Sequence, residues 1–287
     1  MEIEKYIGDT RVNPIGVGTW MMGGGYLEGK IPFATYGNEP QEIAAIRYSI
    51  SRGQNHIDTA HMYGAGHTEE IVGQAISEIE RSTLFIASKV WKSHCTRLAV
   101  PQSIIESLRR LRITQLDLVY AHYAFKESPM EEYIGGLNDA IDQGLTKYIG
   151  VSNFSLEELK LATSLSKHPI TAIQNHFNVL HKAEFPLELQ NFCKANDIAM
   201  VSYRPLGRGM LTQECTNETL IRLADKYQKT TAQIALNWVL SHANMHAIPK
   251  ASRIENIEAN LAALNFELSE EDRASLSALP DEQQKYP

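Results

Sequence analysis

Cysteine is scarce in this sequence. Cys95, Cys193 and Cys215 are odd in number and far apart, which argues against a disulfide framework and for a reducing, cytoplasmic setting. His94-Cys95 is the nearest approach to a metal pair, yet it lacks the spacing and further ligands of a zinc site, and no metal is expected. Long apolar runs are missing too. No stretch reaches the length of a membrane-spanning helix, and charged Glu2, Glu4 and Lys5 follow Met1 where a secretory leader would be apolar. Nor is there a polybasic run: 27 Lys and Arg stand against 34 Asp and Glu, a net charge of -7, which speaks against a nucleic-acid or membrane-surface partner. Gly23-Gly24-Gly25 matches neither the Gly-x-Gly-x-x-Gly fingerprint ahead of a helix nor a Walker A loop, so it reads as a flexible loop.

What is present is repetition. Eight apolar, strand-like runs, at 14–19, 56–58, 84–89, 116–122, 147–152, 172–175, 199–203 and 246–250, each end in polar residues. Amphipathic stretches separate most of them, at the period of a βα unit. Helical stripes are expected around Ile43, Ile46 and Ile50, and over 69–79, 101–111, 132–142, 155–164, 184–195, 218–227, 231–241 and 269–278. Ser155-x-x-Glu158 reads as a capping box and Thr231-x-Gln233 as a second helix start. The pattern predicts an α/β fold, a (β/α)8 TIM barrel forming one domain over 1–287. A hairpin over 1–13, turning at Gly8-Asp9, caps its bottom; 21–40 is a flexible loop on the catalytic face and 280–287 a short tail.

In such a barrel all strands run one way, so their polar ends meet on one face. Consecutive ends supply Asp58, Tyr63, Lys89 and His122. A tyrosine holds its proton to about pH 10. An adjacent ammonium lowers that value, so Lys89, held by Asp58, is expected to make Tyr63 a proton donor, with His122 orienting a substrate oxygen. A proton poised over a carbonyl oxygen serves carbonyl reduction. None of the four offers a hydride, so a cofactor is required.

The stretch Ile57-Asp58-Thr59-Ala60-His61-Met62-Tyr63-Gly64-Ala65-Gly66-His67-Thr68-Glu69-Glu70 resembles the signature of the aldo-keto reductase superfamily. Ser88-Lys89-Val90-Trp91, Leu116-Asp117-Leu118-Val119-Tyr120-Ala121-His122, Gly150-Val151-Ser152-Asn153-Phe154, Gln174-Asn175, Ser202-Tyr203-Arg204-Pro205-Leu206-Gly207 and Ile248-Pro249-Lys250-Ala251-Ser252 follow in the superfamily's order. The resemblance implies Tyr63 as acid, Asp58 and Lys89 as its tuning pair, and His122 as the orienting group. It implies NADP(H), with NAD(H) left open, bound in extended form. Gly18, Thr19, Trp20 and Asp58 would lie near the nicotinamide ribose, Ser152, Asn153 and Gln174 at the carboxamide, and Tyr203 on the nicotinamide ring. Arg204, Pro205, Leu206 and Gly207 would follow the pyrophosphate, and Lys250, Ala251, Ser252, Asn256 and Asn260 the adenosine end.

Two departures from the family pattern stand out. Asn256 occupies a position where NADPH-preferring relatives carry arginine, and Ala259 replaces a glutamate of the adenine motif. Tyr123 stands where tryptophan is common, giving a smaller and more polar pocket wall beside Trp20, Tyr26 and Trp91. His61 and His67 read as solvated loop residues. The function expected is reversible reduction of small aldehydes or ketones by a monomer. An NAD-dependent sugar or polyol dehydrogenase of the same fold is one alternative. A non-catalytic, nucleotide-binding redox sensor is another, and the intact tetrad weighs against it.

Overall fold

Parallel barrel strands are covered on both faces, so their sequences are expected to be largely apolar. In the computed structural model, which describes residues 4–25 and 33–282, most strand residues are buried, polar ones such as Asp58, Lys89 and Gln174 included. After a hairpin of β1 (Lys5–Ile7) and β2 (Thr10–Val12) comes the first barrel strand, β3 (Val17–Gly18). A ribbon of β4 (Gly24–Gly25) and β5 (Phe33–Ala34) interrupts the barrel. The remaining barrel strands are β6 (His56–Asp58), β7 (Phe85–Val90), β8 (Leu116–Ala121), β9 (Thr146–Ser152), β10 (Ile170–His176), β11 (Ala199–Tyr203) and β12 (Met245–Ala247). They pair in parallel in the order β12-β11-β10-β9-β8-β7-β6-β3. A parallel bridge between Ile15 and Ala247 closes the cylinder, with Gly16 N donating to Ala247 O at 2.8 Å. The expected (β/α)8 barrel is the fold.

Helices α1 (Glu39–Ser51), α2 (His67–Ile76), α3 (Ala99–Leu111), α4 (Met130–Asp142), α5 (Leu156–Leu165), α6 (Leu187–Ala195), α7 (Glu218–Tyr227), α8 (Thr231–Leu240), α9 (Ile254–Leu261) and α10 (Glu270–Ser277) surround it. In α3 the buried Val100, Ile104, Leu108 and Leu111 recur at helical spacing and face the strands. Ser155 and Glu158 form the expected capping box on α5. The start of α8 differs by one residue: Thr230 is the cap, and its side chain reaches the N–H of Gln233 three positions on. Helix α6 begins at Leu187 and not at 184, because Pro186 disfavours helical backbone in the residue before it. Among the described residues no helix is long and apolar enough to cross a membrane.

The hairpin plugs the bottom. Ile7 and Val12 are buried in one cluster with Phe85, Leu118, Tyr120 and Val201 inside the cylinder. At the turn Gly8 has φ 59, and a Cβ there would come within 2.6 Å of the Tyr148 ring, so both the backbone and the space require glycine. The buried Lys5 donates to Leu240 O at 2.8 Å, at the C-terminal end of α8, and to Met245 O at 2.5 Å, and burial pulls its amine down to about 7.

The floor also holds histidines that stay neutral. Burial pulls His56 down to about 4 and His246 well below its ordinary value. The unfolded chain takes up a proton at each as pH falls below about 6.5, whereas folded His56 does so near 4. Their stabilisation is therefore whole above pH 6.5 and drains away as pH falls towards 4, at up to about 1.4 kcal/mol per pH unit for each histidine. Melting temperatures at pH 7 and pH 5 should show it, the pH 5 value being lower and His56→Gln reducing the difference. Equal values with intact His56 would contradict this.

Candidate active site

The C-terminal ends of the barrel strands form one rim. Asp58 ends β6, Lys89 lies one residue before the end of β7, and His122 follows β8 directly. The four tetrad residues come from three strand ends and not four: Tyr63 lies in the turn five residues beyond Asp58. Lys89 and Asp58 form an ion pair at 1 % and 2 % exposure. Lys89 Nζ also donates to Thr59 O at 2.9 Å, and the second Asp58 oxygen accepts from Gln174 Nε2 at 2.7 Å. Lys89 Nζ sits over the Tyr63 ring, 5.3 Å from its centroid.

One expectation about this group needs correction. The Tyr63 phenol is not pulled below its ordinary value; burial, with the Asp58 carboxylate adding to it, pushes it well above. The ammonium does not reverse this because Asp58 already pairs with it, so the two together present little net charge. Burial lowers Lys89, and Asp58 and Glu69 partly restore it. His122 is held well below its ordinary value by burial and by the Lys89 charge, so it is neutral near pH 7. Its Nδ1 is buried without a hydrogen-bond partner. The site thus carries a protonated phenol and a neutral imidazole whose ring centroids are 5.9 Å apart, over a buried cation.

Aromatic rings wall this point. Trp20 meets Tyr63 edge-on at 4.8 Å, Trp91 meets His122 at 5.2 Å and Tyr123 at 5.7 Å, and Tyr123 stacks on His122. Tyr26, expected among them, lies outside the described residues. Gly23–Gly25, read as flexible, are buried, and Gly23 and Gly24 have positive φ. They serve close approach: a Cβ on Gly64 of the Tyr63 turn would meet Gly23 O at 2.5 Å.

Around the rim, Asn153, in left-handed backbone at φ 60, donates to His122 O at 2.9 Å and accepts from the Tyr203 hydroxyl at 2.7 Å. Ser152 and Gln174 are 1 % exposed. The Gln174 amide nitrogen is committed to Asp58, so the expected carboxamide contact would fall to its oxygen. One face of Tyr203 stacks on His176 at 5.4 Å. Thr19 is buried, with its hydroxyl donating to Asp58 O. Gly18 packs against Ile248, too tightly for a side chain, and Trp20 follows. Arg204 and Gly207 take positive φ at 50 and 56 and turn the chain around Pro205 and Leu206. Lys250, Ser252, Asn256 and Asn260 run from the end of β12 along α9, with Ala251 buried and Asn256 exposed.

Several residues of this site went unrecognised in the sequence. Glu42, buried, accepts from Gly23 N at 3.0 Å and faces the Lys250 charge. Glu69 and Arg110 form an ion pair behind the Tyr63 turn, and His61 belongs to that network and is not a solvated loop residue. His67 likewise pairs with Glu39 and Glu70. Among the described residues two groups bring histidine and carboxylate to metal-like separations, His61 with His94 and Glu106, and His176 with His181 and Glu184. In the first, Arg110 Nη2 lies 2.8 Å from His61 Nδ1 and sets its charge against any cation. In the second the imidazoles stack at 3.8 Å, so their in-plane lone pairs run side by side and do not converge.

The barrel thus carries a buried lysine–aspartate pair and a tyrosine at the C-terminal rim of its strands, the face where barrel enzymes place their chemistry. The aldo/keto reductase family model matches residues 14–281, and the chain belongs to that family. It is 30 % identical over 278 residues to the methylglyoxal reductase YeaE of Escherichia coli K12, covering 95 % of this chain and 92 % of that protein. Among solved structures, the thermostable aldo-keto reductase Tm1743, in complex with the inhibitor epalrestat, superposes with TM-score 0.89 at 37 % identity, over 96 % of this chain and 99 % of that one. An aldo-keto reductase from Klebsiella pneumoniae in complex with NADPH gives TM-score 0.85 at 30 % identity, over 99 % and 98 %.

Proposed function

We propose that this chain reduces small aldehydes and ketones with NADPH, Tyr63 supplying the proton. The observation that carries the reading is the buried Lys89–Asp58 pair set directly against Tyr63 and a neutral His122. A buried ion pair adds little stability over apolar residues of the same volume, so its place on this rim favours a chemical role.

The far rim suits a phosphate-bearing dinucleotide. Ser252 Oγ is buried with no hydrogen-bond partner, and Lys250 brings a cation two residues before it. The N-cap of α9, Arg253, makes no side-chain cap, leaving first-turn N–H groups for an anion. Gly18, Thr19, Trp20, Ser152, Asn153, Gln174 and Tyr203 would hold the nicotinamide end. Arg204, Pro205, Leu206, Gly207, Lys250, Ala251, Ser252, Asn256 and Asn260 would hold the rest. Bound there, the nicotinamide supplies the hydride.

The chain's own residues do the remainder. His122 and the Tyr63 hydroxyl orient the carbonyl oxygen between them. As charge builds on that oxygen the Tyr63 proton moves to it, because an alkoxide is more basic than a phenolate. Lys89, held by Asp58 and Thr59 and over the Tyr63 ring, offsets the Asp58 carboxylate that would otherwise repel the phenolate left behind. Trp20, Trp91 and Tyr123 limit water at the site. The E. coli relative is named a methylglyoxal reductase, and the Klebsiella structure holds NADPH. We place the protein in the cytoplasm, on its scarce cysteine, and as a monomer.

Mixing the protein with NADPH and a panel of small aldehydes that includes methylglyoxal tests this reading. NADPH is consumed with at least one of them; no consumption with any member overturns it. One observation favours a second reading, alcohol oxidation with NAD: Glu42 faces Lys250 and offsets part of the charge a 2′-phosphate would meet. Binding titrations of Lys250→Ala decide between the two. Loss of the charge-assisted contact should weaken NADPH about tenfold and leave NADH nearly unchanged. Equal weakening of both removes Lys250 from any role at the 2′-phosphate.

A further inference from the structure

We infer that Arg110 and Glu69 are positioning residues that clamp the Tyr63 turn from both sides; the inference rests on the function proposed for Tyr63. The turn is an awkward one. Gly64, Ala65 and Gly66 take φ of 56, 53 and 97 in succession, and left-handed backbone is costly for Ala65, which carries a Cβ. Such a segment holds one shape only when its surroundings over-determine it. Arg110, reaching over from α3, does so at three points. Its Nε donates to Glu69 Oε2 at 2.6 Å, on the first turn of α2 and six residues after Tyr63. Its Nη2 lies 2.8 Å from His61 Nδ1, two residues before Tyr63. Its aliphatic stem fills the space over Gly66, where a Cβ would stand 2.9 Å from Arg110 Cδ.

Glu69 carries the clamp into the barrel wall. It is fully buried, and its other oxygen accepts from Ser88 Oγ at 2.6 Å, in the residue next to Lys89. His61 N donates to Lys89 O at 3.1 Å, closing the loop from the other side. One guanidinium therefore ties the segment bearing the phenol to the strand bearing the ammonium. A lysine at 110 keeps the charge but cannot reach Glu69 and His61 at once in a planar fork.

The test begins with wild-type turnover; if that is absent, the proposed function fails and not the clamp. Given turnover, Arg110→Lys should lower kcat about 10- to 100-fold, as misplacement of a reacting group by an ångström does. Its Kd for NADPH, by fluorescence titration, should stay within about twofold of wild type, since no uniform binding is removed. The solvent deuterium effect on kcat should grow as proton transfer becomes limiting, a change that a general loss of stability would not produce. Should that variant fail to fold, Glu69→Met/Arg110→Met removes both charges of the pair together and is expected to fold. It should show the same drop in kcat. A folded variant of either kind with wild-type kcat and an unchanged deuterium effect overturns the inference.

Discussion

Tyr63→Phe lowers kcat/KM for a small aldehyde by about 10²- to 10⁴-fold, the range supplied by a positioned proton donor. Affinity for NADPH, measured by titration, stays at the wild-type value. The substitution removes one oxygen and keeps a ring that packs edge-on against Trp20 at 4.8 Å and His122 at 5.9 Å, so the pocket wall survives. What is lost is the proton. Because burial and Asp58 hold the phenol well above its ordinary value, Tyr63 is protonated across the working pH range, and no gain of activity towards alkaline pH replaces it. Reduction by Tyr63→Phe at the wild-type rate would remove Tyr63 from the chemistry.

Lys89→Met is the second large effect, and it falls on stability as well as on rate. Removing one member of a buried pair leaves the other uncompensated, at a cost of about 3–5 kcal/mol. Asp58 would keep the Gln174 amide, at 2.7 Å, as a partner in the barrel interior. For a chain of this length that cost lowers the melting temperature by about 5–8 °C. Asp58→Asn/Lys89→Met, which removes both charges, should recover most of that loss and none of the activity. Calorimetry beside steady-state kinetics separates the two roles. A single variant as stable as wild type, or a double variant that regains turnover, contradicts the assignment.

Most of the barrel was legible because its physics is local. Strands buried on both faces read as apolar runs, and the runs at 56–58 and 199–203 coincide with β6 and β11. Pairing was less visible: the apolar run 14–19 contributes only Val17 and Gly18 to a regular ladder, since the chain shifts there from pairing with β12 to pairing with β6. Helix α9 was not foreseen. Its buried residues are Ile257 and Asn260, too few to make an apolar stripe.

The site divides in the same way. Asp58, Lys89 and His122 could be placed because strand ends converge in a barrel. Arg110 could not, since its contacts to His61 and Glu69 span 49 and 41 residues and nothing within α3 marks it apart from Arg109. The direction of the Tyr63 shift was missed for a physical reason. A pairwise argument from Lys89 leaves out desolvation and the carboxylate that already holds the ammonium.

The account stands on where a substrate oxygen sits. A crystal structure with NADP and an unreactive carbonyl analogue should place that oxygen within about 2.6–3.2 Å of both the Tyr63 hydroxyl and His122 Nε2. An analogue whose oxygen points away from Tyr63, with the hydroxyl bonded elsewhere, would contradict it.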